Sequence, residues 1–174
     1  MQVSVELVDW PWLTSFADPP AMIDALMDED KRLTAPYYEM CSDFIPDWID
    51  SAGLVGEVED ALETLVGDDP HPDFQVDERT AGLIRAGLLP LLAYSEPAQD
   101  DLQLAPASDG CFFASLSPSS VRGTAQAVRG LDLGMVAGKL GPTRQPLFHT
   151  ILQQWATAIF RAEERGAGMI GHCG

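Results

Sequence analysis

Apolar and polar residues alternate along Val3–Leu7, which reads VSVEL. A period of two places successive side chains on opposite faces of a strand, and valine favours extended backbone. We therefore expect the first strand here. The apolar run CFFASL at residues 111–116 predicts a second, buried strand. The last eight residues, AGMIGHCG, predict a short extended segment that serves as a core or edge strand.

A helical period replaces this alternation at residues 54–66, LVGEVEDALETLV. At about 100° per residue, the apolar residues cluster on one side of a helix. These are Leu54, Val55, Val58, Ala61, Leu62 and Leu65. The acidic residues on the other side are Glu57, Glu59, Asp60 and Glu63. The segment is thus expected to form an amphipathic helix with one buried face and one acidic face.

Two weaker helical segments precede or overlap it. Asp18 is followed by two prolines, which predicts a helix that begins there and runs to about residue 28. Residues 37–67 as a whole are expected to be helical, with interruptions at Pro46 and Gly53.

Four more helices are expected in the remaining chain, at about residues 78–94, 118–130, 131–140 and 146–165. Asp77 caps the first, and Ser117 with Pro118 begins the second. The first is apolar nearly all round, so it should run through the core, with Pro90 kinking or ending it. Gly166 is a natural stop for the last.

These patterns together predict one α+β domain over residues 1–174. It is mostly helical, with a small sheet that includes the N-terminal and C-terminal strands. A chain of this length buries enough apolar surface for one proper core.

The charge narrows the range of partners. The formal net charge is −17, and it is uneven: residues 1–101 hold 23 acids against four bases, whereas residues 102–174 hold four acids against six bases. Such a field repels phosphate backbones and anionic lipid surfaces and attracts basic proteins. We therefore expect no nucleic-acid ligand and no membrane ligand. General solubility is the plain alternative explanation of the acidity.

Features of location and redox state agree with an intracellular protein. The longest apolar runs fall short of a membrane span, and MQVSVELVDW lacks the basic and apolar regions of a signal peptide. The three cysteines are widely spaced and odd in number, which favours reduced thiols. A cytoplasmic location is the expectation.

Motifs of catalysis are missing from the sequence. We find no nucleophile elbow, phosphate-binding loop, zinc-protease helix or dinucleotide fingerprint. His172 and Cys173 are adjacent, so in a strand they point to opposite faces and rarely bind one ion. Carboxylate pairs such as Asp100–Asp101 are numerous, and in so acidic a chain they usually mark a solvated face. We expect no catalytic residue, metal or cofactor.

Two C-terminal stretches resemble a known family. They are CFFASLSPSSVRGTAQAVRGLDLGMVAGKLG and FHTILQQWATAIFRAEERGAGMIGHCG, within residues 111–174. They are similar to the YfbM-like family of small bacterial proteins, in which a strand and a helix precede a long helix, a glycine turn and a terminal strand. The resemblance implies an α+β fold with the terminal strands in one sheet. It implies no catalytic residues, and the first two thirds of the chain depart from it.

The prediction for function is an acidic, cytoplasmic, protein-binding domain. An immunity protein or an inhibitor that neutralises a basic toxin or effector has these properties, because electrostatic steering speeds the capture of a cationic partner. The sequence assigns no oligomeric state. The expected partner-binding residues are Asp43, Asp47, Trp48, Glu57, Glu59, Asp60, Glu63, Asp68 and Asp69.

An enzyme or small-ligand-binding protein that uses clustered carboxylates is the alternative. A tight group of acids beside His71 or His149 would favour it, whereas acids spread over one face would favour partner binding. A purely structural subunit is a third possibility, in which the tryptophans are ordinary core residues.

Overall fold

The structure is a computed structural model, and it describes residues 2–16, 18–19, 21, 45–49, 54–67, 76–92, 100–102 and 113–173. The strands are β1 (Gln2–Val8), β2 (Ile45–Ile49), β3 (Phe113–Leu116) and β4 (Gly168–Cys173). The helices are α1 (Trp10–Thr14), α2 (Leu54–Val66), α3 (Glu78–Gly87), α4 (Leu89–Leu92), α5 (Pro118–Arg129), α6 (Leu133–Leu140) and α7 (Gln145–Arg165). This is the mostly helical α+β class that the sequence predicts.

The strands form one antiparallel sheet in the order β2-β1-β4-β3. β1 pairs with β4 from Val3 opposite Cys173 to Val8 opposite Gly168. The prediction that both terminal strands share a sheet is confirmed. β4 also pairs with β3, so the terminal segment is an interior strand and not an edge strand.

Three expected helix ends are confirmed, at Asp77, Ser117 and Gly166. Asp77 accepts a hydrogen bond from Thr80 N at 3.0 Å, and Ser117 Oγ accepts one from Ser120 N at 3.2 Å. Both side chains satisfy N–H groups that have no partner within the helix. At the end of α7, Gly166 has a φ of 63°, a left-handed conformation that glycine adopts without strain.

The expected helical character of residues 37–67 is wrong at Ile45–Ile49, which forms β2. Pro46 lacks a backbone N–H and disfavours helical backbone at Ile45, so a helix there would lose bonds that an edge strand does not need. β2 lies at the edge of the sheet and pairs with β1, with a register shift between Val3 and Val5.

The expected helix over residues 78–94 is two helices, α3 and α4, and it is not apolar all round. The break lies at Leu88, two residues before Pro90. The proline ring clashes with the carbonyl four residues earlier, so the regular helix ends upstream of the proline. Exposed residues, among them Glu78 and Arg85, form the outer face of α3.

Some expected segments fall outside the described residues in whole or in part. Of the helix expected over residues 18–28, the structure shows that Asp18 accepts a hydrogen bond from Ala21 N at 3.2 Å. Residues 93–94 of the expected helix and residues 111–112 of the expected strand also lie outside.

Helices α3, α5 and α7 meet in the core at Gly87. Trp155 of α7 is fully buried, and its indole Nε1–H donates a hydrogen bond to the carbonyl of Gly87 at 3.1 Å. Gly87 ends α3, and a Cβ there would lie 3.0 Å from Val128 Cγ2 and 3.2 Å from Ala127 Cβ of α5. Glycine therefore lets α3 approach α5 closely, while Trp155 contacts the same residue from α7.

The sheet packs against this helical core. Val5, Leu7, Leu116 and Met169 belong to the same buried cluster as Trp155. Since successive residues of a strand point to opposite faces, the sheet presents these side chains toward the helices. Ile170 follows Met169 and points to the other face of the sheet, and it is also fully buried.

We expect Trp155→Phe to lower the free energy of unfolding by about 1–3 kcal/mol, because the buried carbonyl of Gly87 loses its donor. Urea unfolding of the variant and the wild type, followed by far-ultraviolet circular dichroism, measures the difference without relying on tryptophan fluorescence. A change below about 0.5 kcal/mol would contradict the importance of this bond.

Candidate functional site

Helix α2 has a buried apolar side, as the sequence predicts, and three of the four acids expected on its outer side are exposed. The buried residues are Val58, Leu62, Leu65 and Val66. The helix contacts α3, α4, α6 and α7. Glu57, Asp60 and Glu63 are exposed on the other side. Successive members lie three residues apart, so their Cβ atoms are about 5–6 Å from one another along one line. We call Glu57, Asp60 and Glu63 the acidic stripe.

The other expected partner-binding residues are dispersed. Glu59 is half-buried on α2, beside the apolar side of the helix. Asp47 and Trp48 belong to the edge strand β2, where Trp48 lies opposite Val3 of β1. Asp43, Asp68 and Asp69 lie outside the described residues. The structure therefore brings together Glu57, Asp60 and Glu63.

Several acids elsewhere in the described residues have a clear structural role at helix N-termini. Asp9, Asp77 and Asp132 each accept a hydrogen bond from the backbone N–H three residues on, at 2.9, 3.0 and 2.9 Å. These carboxylates also complement the positive end of the helix dipole. Hydrogen bonds from the side chain and backbone of Thr80 hold the pKa of Asp77 below its usual value.

Asp100, Asp101 and Leu102 form a strap beside the start of α5. The contacts are Ser119 Oγ to Asp100 Oδ2 at 3.1 Å, Ser117 N to Asp101 Oδ1 at 2.6 Å, and Leu102 N to Ser115 Oγ at 2.8 Å. The Ser115 hydroxyl also donates to the carbonyl of Leu102 at 2.7 Å. Asp100 is exposed, as expected of an acid on a solvated face, and both acids also hold the strap to the start of α5.

Glu163 has a partner across the α5–α7 contact. Arg129 Nη1 donates to Glu163 Oε1 at 3.0 Å, and Nη2 donates to Oε2. The Arg129 guanidinium also lies 5.0 Å from the ring centroid of Phe160. The hydrogen bonds from Arg129 lower the pKa of Glu163, while partial burial opposes that shift.

Helix α2 differs from the other long helices in its electrostatics. Basic residues occupy the last turn of α3, α5, α6 and α7, where they complement the negative end of the helix dipole. The last turn of α2 contains Glu63 and no basic residue. Arg85 of α3 partly compensates, because its Nε donates to the carbonyl of Val66 at 2.8 Å.

The three residues of the acidic stripe differ in whether a basic side chain contacts them. Arg144 Nη1 donates to Glu57 Oε2, a contact between residues 87 positions apart in the chain. No local pattern in the sequence predicts this pair, and Arg144 is the site residue that the sequence reasoning missed. Asp60 and Glu63 contact no basic side chain within the described ranges.

The catalytic alternative requires a group of acids beside a histidine. No group of three or more histidine, cysteine or acidic side chains could hold a metal ion in the part of the chain that the structure describes. His149 is half-buried on α7, and its Nε2 lies 3.9 Å from the position of a Cβ at Gly134. Glu57, Asp60 and Glu63 follow one exposed line of α2. His71 lies outside the described residues.

Comparison with protein-family models found no match, and comparisons with curated proteins and with solved structures found none either. The resemblance to the YfbM-like family therefore stays a prediction. Among the described helices, none has the length and apolar character needed to cross a bilayer.

Arg129→Gln should raise the pKa of Glu163 toward the ordinary glutamate value, because the hydrogen bonds that favour its carboxylate are lost. A lowered pKa means that the pair adds stability above the ordinary carboxyl range and loses that contribution as the pH falls through the lowered pKa. Carbon-detected NMR titration of the Glu163 carboxyl group in both proteins measures this pKa. An identical value would show that the contact does not persist in solution.

Proposed function

We propose that this protein is an acidic binding domain that captures a basic protein in the cytoplasm. An immunity protein or an inhibitor that neutralises a basic toxin or effector is the kind of function we infer. The acidic stripe of α2 is the docking surface in this proposal. The observation that carries it is the exposure of Asp60 and Glu63 with no basic partner among the described residues.

Asp60 and Glu63 have no evident role in the stability of α2, whereas Glu57 lies in the first turn, where an acid complements the helix dipole. Like charges three residues apart on a helix repel, and an acid in the last turn opposes the helix dipole. Natural sequences tend to depart from such local preferences at functional sites. Elsewhere in the described chain, acids such as Asp77, Asp101 and Glu163 bond to a helix terminus or to arginine. Asp60 and Glu63 are therefore the stronger candidates for recognition.

The overall charge supports the same partner class. A net charge of −17 attracts cationic proteins over a range that salt shortens to about 10 Å at 0.1 M ionic strength. Steering of this kind raises association rates, and local complementarity selects where the partner docks. Binding should therefore weaken as salt increases.

Glu63→Gln should stabilise the protein by about 0.3–1 kcal/mol, because it removes an unfavourable charge from the negative end of α2. The control with the opposite expected effect is Glu78→Gln. It removes a favourable acid from the first turn of α3 and should destabilise the protein by a similar amount. Thermal unfolding should show Tm shifts of about 1–4 °C in opposite directions. Shifts in the same direction would contradict the assignment of Glu63 as electrostatically unfavourable.

Asp60→Lys/Glu63→Lys should abolish capture of the basic partner. The control Gln153→Lys/Gln154→Lys/Glu164→Lys changes the net charge by the same +4 at exposed positions of α7 and should retain most of it. Tagged proteins are incubated with native lysate at about 0.05 M and about 0.5 M salt, and retained proteins are identified by mass spectrometry.

A single basic protein held by the wild type and the control, but lost from the α2 variant, supports the proposal. Equal loss from both charge variants would show that net charge acts without a specific face. No basic protein held by the wild type at low salt would overturn the proposed function.

A further inference from the structure

We infer that Arg144 acts as an internal competitor at the acidic stripe. A basic partner that binds there must displace the Arg144 side chain from Glu57. This inference rests on the proposed function, since it describes how access to the same face is regulated. It also assigns the partner a chemistry, because the group that occupies the stripe in the free protein is a guanidinium. The partner would therefore dock through arginine.

Displacement of Arg144 from Glu57 requires little free energy. The side chains of Arg144 and Glu57 are 48% and 46% exposed, so water reaches both groups. Exposed ion pairs of this kind typically contribute less than about 1 kcal/mol, and salt screens them. An arginine from a partner can therefore exchange with Arg144 without a large loss of stability.

Hydrogen bonds and packing that do not involve Glu57 hold the backbone around Arg144. Its N–H donates to the carbonyl of Gly141 at 3.0 Å, and its carbonyl accepts from Leu147 N at 2.9 Å and Phe148 N at 3.1 Å. A Cβ at Gly141 would lie 2.7 Å from Phe148 Cε2, so the turn packs directly on the ring. The Arg144 side chain can leave Glu57 while this turn stays folded.

Displacement would proceed in two steps along the stripe. Asp60 and Glu63 have no basic partner among the described residues, so an incoming arginine meets them first. Arg144 repels that arginine and neutralises Glu57. Once the first arginine is bound, a second one competes with Arg144 for Glu57. The internal pair thereby lowers the rate and affinity of capture for weakly basic proteins.

The test measures association of a fluorescent hexa-arginine peptide by stopped flow at about 0.05 M and about 0.5 M salt. Arg144→Gln should raise the association rate about two- to fivefold at low salt, and the increase should disappear at high salt. The control is Arg161→Gln, which removes one exposed positive charge from the far part of α7. A separation of 17 residues along a helix is about 25 Å, so this change should have a much smaller effect.

The outcomes separate this inference from the proposed function. Equal rates for Arg144→Gln and Arg161→Gln, with binding still lost in Asp60→Lys/Glu63→Lys, would overturn the competitor and leave the docking face intact. Equal weakening by Asp60→Lys/Glu63→Lys and by the triple lysine control on α7 would overturn both. A faster rate for Arg144→Gln alone supports the competitor, because it shows that the positive charge at position 144, and not an exposed charge elsewhere on α7, opposes capture at the stripe.

Discussion

The hydrogen bond from the buried indole of Trp155 to the carbonyl of Gly87 is the constraint on which the helical layer depends. The bond fixes the end of α3 against α7. If the helices separated, the carbonyl would lose its partner inside the core, at a cost of about 1–3 kcal/mol. The missing side chain of Gly87 also lets α5 approach, because a Cβ would lie 3.1 Å from Val128 N. Gly87 thus sets how closely the end of α3 approaches both α5 and α7.

Helix α7 also determines how the sheet is completed. α7 ends at Arg165, and the left-handed Gly166 turns the chain directly into β4. β4 then lies between β1 and β3, so it joins the β1–β2 pair to β3. Met169 belongs to the cluster that contains Trp155. The position of α7 in the core therefore also fixes where the two ends of the chain meet.

The sequence predicts features whose causes are local. The caps at Asp77 and Ser117 need only a side chain and an N–H three residues away, and α2 is visible in the spacing of its own residues. Ile45–Ile49 is a short apolar segment, and its strand identity depends on pairing with β1, more than 35 residues earlier. The strap at Asp100–Leu102 and the contact of Arg144 with Glu57 depend on folding in the same way.

Energetic magnitudes explain how the fold accommodates the acidic stripe. Full burial of Leu62 contributes about 1.5–3 kcal/mol, and several such residues anchor α2. Repulsion between Asp60 and Glu63 costs only about 0.2–0.5 kcal/mol, with a similar cost from the helix dipole. Packing therefore determines whether α2 forms, and the charges on its outer side vary with little effect on the fold. A basic residue at position 63 would be the better choice for stability alone. Asp60 and Glu63 are exposed in an arrangement that the stability of α2 does not favour, and for this reason we propose that they recognise a cationic partner.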